Sequence, residues 1–183
     1  MSKSKGNFIS LEQAVADYGA DSARIGCAMA GDSINDANFT AENGNAGIMQ
    51  LSTLEMFLVK SLGDRKNYRV GVSDIESIAF FDEIFENEME EQISKVREAY
   101  EKMIYRDVVK YGFHDFSTMK DVYLVNCDQH KPRLDLIERY IYLQLIFMYP
   151  ICPHFCEVSY IDYFLSFARN YKEYPDLIGH CTF

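Results

Sequence analysis

The sequence predicts an all-α fold, an antiparallel helix bundle preceded by a short basic loop. Three observations lead there. Apolar residues recur at spacings of three and four over long stretches, and strand-like alternation is absent from them. Only four prolines interrupt 183 residues. The segments between periodic stretches are short, so neighbouring helices are expected to pack antiparallel. Hydrophobic residues make up 48% of the chain and aromatics 14%, which supports a real core and excludes a disordered polymer.

The first seven residues, Met1-Ser2-Lys3-Ser4-Lys5-Gly6-Asn7, alternate lysines with hydroxyl side chains before a Gly-Asn pair that frees the backbone to turn. Such a segment supplies cations and hydrogen-bond donors to phosphate groups. Ser10-Leu11-Glu12-Gln13 reads as a capping box and opens a helix to about Tyr18, with Gly19 suited to end it. Asp21 is placed to cap a second helix through about Ala30, stopped by Gly31-Asp32. Residues 32–39 are rich in turn formers and read as an ordered loop. A long helix is expected from about Thr40 to Leu62, with Gly44 and Gly47 loosening its first turns. Residues 63–74 are polar and read as an inter-helix linker.

The next helix has the clearest pattern. Phe81, Phe85, Met89, Ile93, Val96, Tyr100 and Met103 form one apolar stripe. Its polar face starts acidic (Asp82, Glu83, Glu86, Glu90, Glu91) and turns basic (Lys95, Arg97, Lys102), which complements the helix dipole. A helix from about Arg106 to Tyr123 is expected to bury Val109, Phe113, Phe116, Met119 and Tyr123. Another from about Pro132 to Met148 should bury Leu134, Ile137, Ile141 and Leu145, with Pro132 in its first turn. Pro150 and Pro153 force a break, and a last helix follows over 154–168.

Composition narrows the function classes. No apolar run reaches the roughly 18 residues that span a bilayer, so no membrane partner is expected. Five widely spread cysteines suit a reducing cytosol better than a disulfide framework. The net charge of −10 gives a nucleic-acid partner no help from bulk composition, so any such binding needs a local basic face. Cys152-Pro153-His154-Phe155-Cys156, with Cys127 and His130 upstream, invites a zinc reading. In a helix, however, Cys152 and Cys156 share a face while His154 points away, and no metal is expected. No phosphate-binding glycine loop and no nucleophile–histidine spacing occurs.

Met1-Ser2-Lys3-Ser4, continued by Lys5-Gly6-Asn7, resembles the KMSKS signature of class I aminoacyl-tRNA synthetases, lacking only its first lysine. Tyr18-Gly19-Ala20-Asp21-Ser22-Ala23-Arg24 looks like the helix start that follows the signature loop in this class. The segment from Gly31 to Phe39 resembles the archaeal and eukaryotic cytosolic leucyl-tRNA synthetase family. So do Tyr100 to Phe113, which look like the helical anticodon-binding domain. Pro150-Ile151-Cys152-Pro153-His154 is similar to an element shared by leucyl, isoleucyl and valyl enzymes, and Pro175-Asp176-Leu177-Ile178 fits the stretch that follows. The Gly31–Phe39 segment speaks against an isoleucyl or valyl origin.

The resemblance implies leucine activation by ATP with Mg2+, then transfer to tRNA(Leu). Met1, Ser2, Lys3 and Ser4 would form the ATP-binding loop, and Lys3 would stabilise the charge developing on pyrophosphate as the catalytic residue. Residues 1–39 would be the signature loop and stem-contact helices, and residues 40–183 the anticodon-binding bundle. Nothing resembles the family's HIGH motif or its editing domain. The chain is therefore expected to be a fragment, to bind no cofactor tightly, and to be inactive alone. Candidate tRNA contacts are Lys95, Arg97, Lys102, Arg106, Lys110, Arg133 and Arg139. Expected partners are tRNA(Leu), the missing catalytic domain and other proteins such as a multi-synthetase assembly, in the cytoplasm. A free-standing protein–protein interaction module derived from this domain is the alternative, and the acidic charge suits it.

Overall fold

The apolar periodicity becomes an all-α structure. The computed structural model describes residues 9–31, 38–63, 65–127 and 130–167. Helix α1 spans Leu11–Tyr18, α2 Ala20–Ala30, α3 Ala41–Leu62 and α4 Glu76–Glu101. A helical run then begins as α5 (Tyr105–Val109), widens into π geometry over Lys110–Asp115, and continues as α6 (Phe116–Cys127). Helix α7 spans Leu134–Met148, and α8 (Pro153–Ser159) continues through a second π segment, Tyr160–Phe164, into α9 (Leu165–Phe167). Among the described residues no strand forms, and the one isolated bridge pairs Arg69 with Arg133.

The antiparallel packing follows from ring and backbone contacts. Phe85 of α4 stacks on Tyr123 of α6 at 4.2 Å, while Tyr100 at the other end of α4 meets Tyr105. Helix α7 runs antiparallel to the 105–127 run: the Arg133 N–H before it donates to Tyr123 Oη at 3.0 Å, Phe116 stacks on Tyr140 at 4.6 Å, and Gln144 Nε2 donates to the Gly112 carbonyl at 2.5 Å. Twelve of the fifteen α7 residues are buried, so it is the central helix of the bundle. Its expected apolar positions Leu134, Ile137, Ile141 and Leu145 are all buried, as are Val109, Phe113, Phe116, Met119 and Tyr123 on the preceding run.

Several sequence expectations are corrected here. Ser10 does cap α1 through the Gln13 N–H at 3.1 Å, but the Gln13 side chain donates to Asp17 instead of reaching back, so the box is half formed. Gly44 and Gly47 do not loosen α3, which is regular from Ala41 and capped by a reciprocal Thr40–Asn43 box. A Cβ on Gly47 would lie 2.5 Å from the Ser22 carbonyl oxygen, so this glycine lets α3 lie directly against α2. Met103 leaves the apolar stripe. Helix α4 ends at Glu101, and Met103 takes a positive φ of 56° and is 71% exposed. Pro132 precedes α7 and its carbonyl accepts the Arg69 N–H at 3.0 Å. The helix expected over 106–123 runs on to Cys127. The 32–37 part of the expected loop lies outside the described residues.

Asp82 departs furthest from its sequence pattern. Placed by periodicity on the acidic outer face, it is only 1% exposed. Arg69, from the linker before α4, grips both its oxygens, and Tyr123 Oη donates to Asp82 Oδ1 at 2.8 Å. The same tyrosine oxygen accepts the Arg133 N–H at 3.0 Å, and Leu134 N–H donates to the Arg69 carbonyl. A buried charge is tolerated only when paired and hydrogen-bonded, and this network joins the linker, α4, α6 and the start of α7.

Candidate nucleic-acid interface

Two stretches singled out in the sequence meet in space. Helix α2 starts at Ala20 with Gly19 at its cap position (φ 79°), so Asp21 lies inside its first turn and does not cap it, contrary to expectation. Asp21 Oδ2 instead accepts the Phe155 N–H at 2.6 Å, serving the first turn of α8. Arg24 pairs with Asp21, and its Nε donates to the Ile151 carbonyl at 2.7 Å. His154 Nδ1 lies 3.5 Å from Asp21 Oδ1, with its ring 76% exposed. The α1–α2 pair is thereby fixed to the turn between α7 and α8.

The seven candidate cations do not form one patch. Lys95 Nζ lies 2.7 Å from Glu91 Oε1, and that hydrogen bond raises its ammonium above the ordinary value. Lys102 pairs with Glu98 one turn earlier, which raises the lysine and lowers the glutamate. Arg97 is exposed and makes no ion pair among the described residues. It lies two positions from Lys95, about 200° around the helix, on the other flank of α4. Arg106 and Lys110 are exposed on the following run. Arg133 is held by Asp135 through two hydrogen bonds of 2.7 and 2.8 Å. Arg139 reaches across to Glu86 at 3.6 Å and to Glu90. Both arginines sit away from Lys95 and Lys102, toward the earlier turns of α4. The lysines, by contrast, converge: Lys95, Lys102 and Tyr111 line one hollow with Glu98, Ala99, Ile104 and Asp107. Lys95 and Lys110 also approach the Tyr111 ring, at 5.9 and 5.1 Å from its centroid.

A family profile described as the anticodon-binding domain of tRNA ligase matches residues 82–177, more than half of the chain. The chain belongs to this family. It is 44% identical over 161 residues to the cytoplasmic leucine–tRNA ligase of Saccharomyces cerevisiae, covering 87% of this chain. The corresponding enzyme of Dictyostelium discoideum is 38% identical and that of Pongo abelii 36%, each over 86% of the chain. The match spans 13–14% of the length of these relatives.

In this anticodon-binding domain the Cys-Pro-His element is a packing joint. Cys152 and Cys156 are buried with their sulfurs 3.8 Å apart, and burial pushes the Cys156 thiol well up. His154 points outward to Asp21, away from both. Among the described residues no three His, Cys, Asp or Glu side chains gather as metal ligands. Met1, Ser2, Lys3 and Ser4, and the Pro175–Ile178 stretch, lie outside the described residues. Tyr111 is the residue that the sequence patterns missed. Between Lys110 and Gly112 it reads as an ordinary helix position, and only the packing of the π segment beside α4 turns its ring toward the lysines.

Proposed function

We propose that this chain is the tRNA-binding part of a leucine–tRNA ligase, which joins leucine to tRNA(Leu) using ATP and Mg2+. The observation that carries the reading is the alignment of 86–87% of the chain with cytoplasmic leucine–tRNA ligases. Residues 1–39 act as signature loop and stem-contact helices and residues 40–183 as the anticodon-binding bundle. Within the complete enzyme Met1, Ser2, Lys3 and Ser4 form the loop over ATP, and Lys3 stabilises the pyrophosphate charge. The chain by itself does not synthesise leucyl-tRNA. It works in the cytoplasm, in line with the names of its relatives; no described helix is long and apolar enough to cross a membrane.

The bundle braces tRNA through phosphate contacts more than base reading. Its ion-paired cations remain usable. Exposed pairs such as Lys95–Glu91 and Lys102–Glu98 are screened by water and weak, so a phosphate that releases counterions can take the carboxylate's place. Arg97, Arg106 and Lys110 add exposed cations on the same two helices. Arg139 joins through the same exchange, while Arg133, its side chain largely buried against Asp135, contributes its field at longer range.

Binding of tRNA(Leu) to this chain across a salt series tests the reading, with the Arg97→Glu/Arg106→Glu double variant as control. Binding that falls steeply with salt and is lost in the variant supports it. No binding at low salt would overturn it for the isolated chain. That result would favour the second reading, a protein-interaction module, to which the net charge of −10 lends weight.

A further inference from the structure

The hollow beside Tyr111 has the parts of a nucleotide site. Ala99 and Ile104 supply apolar surface to its lining, and Tyr111 an aromatic ring. Lys95 and Lys102 also line it, and Lys110 lies against the same ring. Lys110 makes no ion pair among the described residues, so its ammonium is available without displacing a carboxylate. Glu98 and Asp107 offer acceptors to ribose hydroxyls and exocyclic amines. The ring is carried on the Lys110–Asp115 π segment, whose extra residue per turn re-aims side chains and which recurs at functional sites.

We infer that this hollow receives one unpaired nucleotide of an RNA, its base stacked on Tyr111 and its phosphates held by Lys95, Lys102 and Lys110. The inference rests on the tRNA-binding reading above. The mixed charge argues for a single nucleotide over a duplex. Glu91, Glu98, Asp107 and Asp115 flank the lysines and would repel a backbone running along α4. A splayed base is different, because stacking on an aromatic face tolerates nearby carboxylates and needs one or two phosphate contacts.

The test uses the whole chain with two probes, a tRNA(Leu) transcript and a single-stranded RNA hexamer carrying one 2-aminopurine. Stacking on Tyr111 quenches the 2-aminopurine fluorescence. Tyr111→Ala is expected to abolish the quench and weaken binding about tenfold, while Tyr111→Phe keeps both, since the ring and not the hydroxyl stacks. Lys110→Gln, at an exposed position, should lower the salt slope by about one without altering the thermal melt. Transcript binding that is unchanged in Tyr111→Ala and Lys110→Gln, with no quench in the wild type, overturns the inference and leaves the tRNA-binding reading standing. Absence of transcript binding by the wild type at low salt overturns both. Competition by AMP at concentrations matching the hexamer would assign the hollow to a free nucleotide and overturn its assignment to RNA.

Discussion

Asp21 and Phe155 are 134 residues apart in the chain, yet the carboxylate of the first accepts the backbone N–H of the second at 2.6 Å. Arg24 holds the same carboxylate and donates to the Ile151 carbonyl, so this pair within α2 is tied to the α7–α8 turn and to the first turn of α8. Asp21→Ala should destabilise the chain by about 2 kcal/mol, because it orphans a part-buried N–H and frees a guanidinium. Urea unfolding checks it, and Arg24→Ala should cost less. Equal stability of Asp21→Ala and wild type would mean that the joint is ornamental.

Gly47 is where α3 lies against α2. Gly47→Ala places a methyl group 2.5 Å from the rigid Ser22 carbonyl, and should lower stability by about 1–3 kcal/mol through overpacking. The same substitution in an isolated helix would be stabilising, by up to about 1 kcal/mol. The sign of the change in the thermal midpoint therefore reads tertiary contact directly.

The Asp82 network predicts strong coupling. Arg69→Met leaves a carboxylate at 1% exposure without its cation and should cost about 3–5 kcal/mol. Asp82→Asn in the same chain should recover much of that loss, because the uncompensated charge is gone. Denaturant midpoints of the two single variants and the double variant give the coupling. Additive losses would contradict the pairing.

Alkaline pH should weaken the fold. Burial, before any other cause, raises the phenols of Tyr100, Tyr123 and Tyr140 above their ordinary value. A folded value above the unfolded one means that the contribution to stability is complete below about pH 10 and is lost as pH climbs beyond it. The urea midpoint at about pH 10.5 should therefore lie below that at about pH 8. Tyr123→Phe should flatten part of this slope while lowering stability at neutral pH, since Asp82 and the Arg133 N–H each lose a partner.

Much of the fold was legible because helix signals are local. The three-and-four spacing of Phe113, Phe116 and Met119, or of Leu134, Ile137 and Ile141, is a property of one segment, and each of these side chains is buried. Gly19 and Gly31 close α1 and α2 where the sequence reads them, whereas Pro153, read as part of the break, opens α8. The site was less legible. The cations are visible as residue types, but Lys95 and Lys110 are drawn to the same tyrosine ring only by the packing of α5 and its π continuation against α4.

The sequence by itself determined the helical class, most element boundaries and the family motifs, because periodicity, capping and chain-breaking act within a few residues. The tertiary structure decided what each polar side chain serves. Asp21 reads as a cap for its own helix and caps another, and Asp82 reads as a solvated acid and is buried. Met103 reads as core and is exposed. The partner of a charge, and the side of a helix that finally meets a neighbour, depend on which distant elements come together, and no local spacing encodes that.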